Sequence, residues 1–543
     1  MNIQSKDTAG KISENVAQNA VNQTEFGWFN WKIFFVTSLI SLNIGFGLGS
    51  VGLVLPSAAC DFKMSTIAKG RMAMMPVAGM IFGPYFWGNL VDMKGRRVGL
   101  ISSLCIQGFA DILSSVISNY YGFLFLKFFS GFGLSGQLSL MFTYIGEFQP
   151  CKYRDGVLSW LEMPWAVGLM IVAGLGWLII PLEISYYSDS FFFFNSWNIY
   201  ILVAAILAPL IALWIVFLPE TPKYLAETGQ RKKLLAILSQ MYRENTGKTH
   251  EDFVERIKNL RNPDLDDLLN SQDSVPVKKP FSKILKNCLK QTKELLRPPY
   301  LKTTVLMCIS AYCITSSYFT MVFWLPEIFQ RFAVFEEQFP GQSASVCTVS
   351  TMLYSKNATP IVENDFTNCR NTLNPIVFSH NLIVGAACVP VALWLPLCVD
   401  RFGYKLHFIG ASFLASILAF GLFLVENSTQ NLILSCLFEA LASISITIVM
   451  CMLVELYPTN IRVVASAFAT FIGRIGAFIG ISLVGYLIDD YCVPLIALVG
   501  THLIIAAVVG FFVPIHKTKK AFMNREKELS QKQTFDSTVI VEP

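Results

Sequence analysis

Charge is what this chain has least of. Only 15% of its 543 residues are Asp, Glu, Lys or Arg, against about 25% in an ordinary soluble domain. So little charge cannot cover a water-facing surface. A 53% hydrophobic content and a mean hydropathy of +0.51 suit a chain that meets lipid instead. The net charge of +5 is small and gives no footprint for nucleic acid. The first thirty residues are polar, with no apolar core ahead of a small-residue site, so no cleavable signal peptide is expected and the first apolar run must direct insertion. The thirteen cysteines are scattered and include no C-x-x-C pair or Cys/His metal spacing. No hydrolase elbow, phosphate loop or metal constellation fits, so the sequence implies no metal, no cofactor and no enzyme. Gly131-Phe132-Gly133-Leu134-Ser135-Gly136 is glycine-rich but lies inside an apolar run, where helix packing explains it better than phosphate binding.

What is present is a series of twelve apolar runs. They lie near 33–56, 72–91, 98–117, 121–147, 155–181, 196–218, 301–326, 373–398, 406–425, 430–455, 463–487 and 492–514, each long enough to span a bilayer as a helix. Lys and Arg gather on alternate connections: 92–97, Lys152 with Arg154, 220–300, Arg401 with Lys405, Arg462, and the tail at Lys517, Lys519 and Lys520. Four opposite loops carry no Lys or Arg, and the loop with Lys63, Lys69 and Arg71 is the exception. The basic side is expected to be cytoplasmic, with both termini there. The resulting division is a disordered end over 1–32, a six-helix half over 33–218, a linker over 219–300, a second half over 301–514 with an outer loop over 327–372, and a tail over 515–543. In the linker, Leu234, Leu238 and Met241, then Phe253 and Ile257, have helical spacing. Those pieces suit a membrane-surface linker, gate struts or a face for anionic lipid.

A ten-residue hinge, Gly88-Asn89-Leu90-Val91-Asp92-Met93-Lys94-Gly95-Arg96-Arg97, joins the second and third runs. Gly95 permits the reversal, and Gly88 would let a neighbouring helix approach. Asp92, Gly95 and Arg97 recur as Asp400, Gly403 and Lys405. Glu147, Pro150 and Arg154 recur as Glu455, Pro458 and Arg462. Both signatures share one offset (400 − 92 = 455 − 147 = 308). Two motifs in one register mark a duplicated six-helix unit, as in transporters built from repeats.

These residues resemble the major facilitator superfamily. Gly88, Asp92, Gly95, Arg96 and Arg97 meet its G-x(3)-D-x(2)-G-R-R loop signature in full. Pro219-Glu220-Thr221-Pro222-Lys223-Tyr224-Leu225 resembles the P-E-S-P-R-Y-L signature of sugar and organic-ion porters. Leu55-Pro56-Ser57-Ala58-Ala59-Cys60-Asp61-Phe62 and Tyr144-Ile145-Gly146-Glu147-Phe148 look closer to the synaptic vesicle glycoprotein 2-like branch. The resemblance implies an all-α membrane protein of twelve transmembrane helices in two pseudo-symmetric six-helix halves. It implies alternating-access, gradient-driven movement of a small organic solute, an organic ion or sugar-like. The branch keeps a second reading open, a vesicle regulator or receptor that moves nothing. It also implies that Asp92, Arg96, Arg97, Glu147, Arg154, Asp400, Lys405, Glu455 and Arg462 latch the halves at the cytoplasmic side. The setting is a plasma or vesicle membrane and the chain is expected to act as a monomer.

Ionisable residues at membrane depth carry the remaining information, since each costs roughly 2.5–3.5 kcal/mol at a helix centre and needs a cavity or a partner. Arg474 and Glu439 fall at similar depths on neighbouring runs and are expected to approach each other, as a substrate site or as a static pair. Lys127, which stands where the family's R-x(3)-G-x-G pattern has arginine, and Glu162 are candidates in the first half. Trp160, Trp165, Tyr312, Tyr318 and Phe319 are candidate cavity aromatics, while Asp111 reads as structural. Cys347 and Cys369 share the long outer loop and are the candidate disulfide. A partnerless Arg474 would favour substrate binding, and a fully paired one would permit the regulator.

Overall fold

The computed structural model describes residues 14–182, 184–188, 192–259, 289–354, 373–457 and 459–514. Ten of its helices are long and apolar enough to cross a membrane. Thr66–Lys94 and Arg96–Ser114 bring the long helical segments to twelve among the described residues. The expected runs and the helices agree closely. The seventh span is the main difference: it runs from Leu301 to Gln338, so the first twelve residues assigned to the outer loop are helix. The eighth and ninth spans form one helix, Pro375–Gly421, broken at Gly403. The end expected to be irregular holds a helix over Glu14–Asn22 with Val16, Ala17, Ala20 and Val21 buried.

The duplicated hinge is visible in the backbone. Gly95 has φ 97° and Gly403 has φ 74°, the left-handed region that L-residues avoid. The base that follows each glycine by two residues does the same job in each half. Arg97 donates to the carbonyl of Val216, at the end of the sixth span Ser196–Ile215. Lys405 donates to the carbonyls of Phe511 (2.8 Å) and Val513 (3.0 Å), at the end of the twelfth span Cys492–Phe512. A helix leaves its last carbonyls without intrahelical donors, and a cation satisfies both their hydrogen bonding and their negative dipole end. Arg154 and Arg462 are also matched: one donates to Gly146 O at 2.9 Å, the other to Tyr457 O at 3.2 Å. Both therefore grip the ends of the fourth and tenth spans. The side chains of Asp400 and Glu455 lie outside the described residues.

The linker does not lie free along the bilayer. Its helix Arg231–Thr246 buries Leu234, Leu238 and Met241, and His250–Asn259 buries Phe253 and Ile257. Asn245 of the linker accepts from Phe29 N at 3.0 Å, and Glu244 pairs with Lys32 at 2.7 Å. These contacts dock it on the start of the first span, Trp28–Ser57. A further amphipathic stretch, expected over residues 281–296, is described only from residue 289. On the opposite face a hairpin pairs Ser185–Ser188 with Phe192–Asn195. Cys347 is bonded to Cys492, not to Cys369; Cys369 lies outside the described residues. Sharing a loop proved a poor guide, because helix Val346–Tyr354 leaves that loop and reaches the twelfth span.

Gly88 does not serve close packing, since a methyl group there would meet nothing within 4 Å. At Gly95 the added carbon would sit 2.1 Å from the Glu220 carboxylate. Gly95→Val should therefore lose about 1–3 kcal/mol, whereas Gly88→Ala should be neutral or gain ~0.5–1 kcal/mol in helix propensity. Thermal unfolding of the detergent-solubilised chain checks this pair. Equal losses at both positions would contradict the geometry.

Candidate functional site

The hinge and the Pro219–Leu225 motif form one unit. Glu220 accepts from the backbone N–H of Arg96 (3.0 Å) and Arg97 (3.1 Å), at the start of the third span. An acid is favoured there by the unsatisfied N–H groups and the positive dipole end. Burial pushes the Glu220 carboxyl above the usual range, and the N–H donors pull against that shift. Tyr224 donates to Met93 O at 3.1 Å, and Tyr144 donates to Pro219 O at 2.8 Å. Arg96 is buried and pairs with Glu147 at 3.2 Å and Glu227 at 4.0 Å, with Asp92 close by. This places the charge of Arg96 within the first half.

The opposite face holds a network that sequence reasoning did not anticipate. Lys69, on the second span Thr66–Lys94, contacts both oxygens of Glu327 on the seventh span, at 2.7 and 2.8 Å. Arg331 lies one turn on from Glu327, donating to it at 3.3 Å and to Asp489 at 2.8 Å. It also reaches the Thr66 hydroxyl at 3.4 Å. Glu327 and Arg331 are each 1% exposed. This network crosses from one half to the other. Beside it Gly70 and Gly485 meet so closely that a methyl carbon on Gly70 would stand 2.8 Å from the other glycine's Cα. Lys69 was the exception in the loop-charge pattern. Its meaning was legible only with Glu327 and Arg331, whose i, i+4 spacing was assigned to a loop.

Between these two faces lie two buried charged side chains of the second half. Arg474, on the eleventh span Thr459–Leu487, stacks over the Phe319 ring at 4.8 Å. Its Nη1 is buried with no hydrogen-bond partner. Glu439, on the tenth span Ser428–Leu456, likewise buries Oε2 without a partner. The two do not pair with each other, contrary to the expectation. Tyr318 lies within electrostatic reach of both. Trp165, from the first half, lies close to Tyr318. Glu162, half-buried at the start of the fifth span Glu162–Ile179, lies close to Thr447 of the other half. Thr447 carried no signal in the sequence, being one hydroxyl in an apolar run.

Three candidates stand elsewhere. Lys127 pairs with Asp111 at 2.8 Å, and Ser130 and Gln107 also bond that carboxylate. Both ions are buried inside the first half, which supports the structural reading of Asp111 and supplies Lys127 with a fixed partner. Trp160 is 46% exposed, at the break before the fifth span. Tyr312 packs edge-on to His502 of the twelfth span at 5.7 Å. Among the described residues no group of His, Cys, Asp and Glu is placed to hold a metal.

Residues 15–353 match the family model described as sugar (and other) transporter. Human synaptic vesicle glycoprotein 2B is 24% identical over 85% of this chain and 80% of that protein. Rat synaptic vesicle glycoprotein 2A is 28% identical over 63% of this chain, and that match spans only 48% of the relative's length. Among solved structures, the partially occluded inward-open conformation of the xylose transporter XylE from E. coli has a TM-score of 0.64. It is 15% identical and covers 90% of this chain and 98% of that one. The fully inward-open form of the same transporter gives 0.63, at 15% identity over 91% and 99% of the two chains. The chain belongs to the sugar (and other) transporter family, in the major facilitator superfamily, and is a multi-pass membrane protein with the twelve-helix fold of that group.

Proposed function

We propose that the chain carries a small organic solute through a chamber around Tyr318, Glu439 and Arg474. It does so by rocking its two halves, driven by a gradient. The observation that carries this reading is a buried carboxyl and a buried guanidinium in the second half, each with one polar atom left without a hydrogen bond. A static protein gains nothing from such groups, since an unpaired buried charge costs several kcal/mol. A carrier gains a site that a solute completes. The partnerless Arg474 favours this over the regulator suggested by the vesicle glycoproteins.

In this reading the basic hinge face and both termini are cytoplasmic, in a plasma or vesicle membrane. The Lys69–Glu327–Arg331–Asp489 network then seals the outer face. The hinge cluster latches the inner face in the opposite state, when Asp92 and its neighbours engage the second half. A single chain supplies both halves, so a monomer suffices. Lys248 of the linker is exposed and suits contact with anionic lipid at the same face.

Two outcomes are expected. Arg474→Ala should abolish solute uptake into proteoliposomes while expression and thermal unfolding stay near wild type; undiminished uptake would remove the chamber from the mechanism. Glu327→Gln should weaken the outer seal. A cysteine placed in the chamber (Asn381→Cys, in a background without free thiols) should then react several-fold faster with a membrane-impermeant maleimide from the outer face. An unchanged rate would show that the network does not hold that face shut.

A further inference from the structure

The proposed chamber has a polarity of its own, and this inference rests on the transport reading above. We propose that the solute is a zwitterion: a cationic group held at Glu439, an anionic group at Arg474, and an apolar spacer between them. The two charges sit on successive spans and share the Tyr318 side chain, yet form no ion pair. Each keeps one buried polar atom without a partner, and Glu439 is 2% and Arg474 6% exposed. A neutral sugar would leave both charges uncompensated. A simple cation would leave the guanidinium unanswered, and a simple anion would leave the carboxylate. A solute with both ends supplies each group with a charged hydrogen-bond partner, the stronger kind.

The surroundings match that assignment. The cavity next to Glu439 is lined by Leu53, Leu169, Val172, Val322 and Val384, with Asn381 as a polar side chain. That wall suits methylene groups. The groups facing the Glu439 carboxyl are the Tyr318 hydroxyl and the Cys388 and Cys436 thiols, none of them a cation. The Tyr318 ring, beside Glu439, offers a cation–π face to an alkylammonium end. At the other end the Phe319 ring holds one face of the guanidinium, which leaves the edge bearing Nη1 for a carboxylate.

The test uses the full chain in proteoliposomes. Its probes are a series of ω-amino acids of increasing chain length with their N-trimethylated forms, the matched alkylamines and carboxylates, and xylose. Zwitterions should be taken up at least tenfold faster than either matched single-charge compound or xylose, with an optimum in chain length. Glu439→Gln should shift preference at least tenfold toward the carboxylate, Arg474→Gln should shift it toward the amine, and Arg474→Lys should restore part of the zwitterion uptake. Should a variant fail to fold, the preference and length optimum of the wild type decide the matter alone. Preferential uptake of xylose or of a single-charge compound would overturn the zwitterion while leaving carrier function intact. No uptake of any of these solutes by folded protein would retire both.

Discussion

A lysine and a glutamate meeting across the seam between two six-helix halves is the contact on which the described state depends. Lys69 and Glu327 come from different halves and are held at hydrogen-bond distance, with Arg331 and Asp489 behind them. Removed from water, each of these ions is stable only while its partners stay in place. The seam therefore favours two arrangements, paired and closed or separated and hydrated, over any position between. Such bistability is what turns a small tilt of one half into opening or sealing of a face. The close meeting of Gly70 with Gly485 adds the packing that the paired arrangement needs.

Away from the seam, charge serves the ends of helices. Arg97 and Lys405 cap the sixth and twelfth spans, Arg154 and Arg462 the fourth and tenth, and Glu220 the start of the third. A bilayer supplies no water to the last turn of a helix, so termini near its boundary need donors and acceptors from the chain itself. That need accounts for the signature residues around positions 95 and 403 and around 219–225. They tie the helices of each half to one another. The chamber residues are the contrast: Glu439 and Arg474 are held in place and left incomplete.

Much of this organisation could be read from residue order. Twelve runs of sufficient length and a shared offset of 308 residues were enough for the helices and the duplicated unit, because bilayer thickness and backbone chemistry allow few alternatives. Glu439 and Arg474 were visible because charges at that depth are expensive. What escaped were relations among side chains. Glu327 and Arg331 looked like loop residues because the apolar run ended before the helix did. Lys127 read as a cavity cation because Asp111, sixteen residues earlier on another helix, could not be oriented toward it. The bond between Cys347 and Cys492 joins residues 145 apart in the chain, so proximity in sequence pointed to the wrong partner. The unit formed by Glu220 and Tyr224 with the hinge required two motifs, each legible alone, to be seen in contact.

The central claim is that the two halves exchange access between faces. Pulsed electron paramagnetic resonance distances in the bilayer-reconstituted chain test it most directly, with one label pair bridging the halves at the hinge face and another at the opposite face. The account predicts two populations at each face that vary inversely: when added solute lengthens the distance at one face, it shortens the distance at the other. Single distributions at both faces, unmoved by any solute, would contradict it.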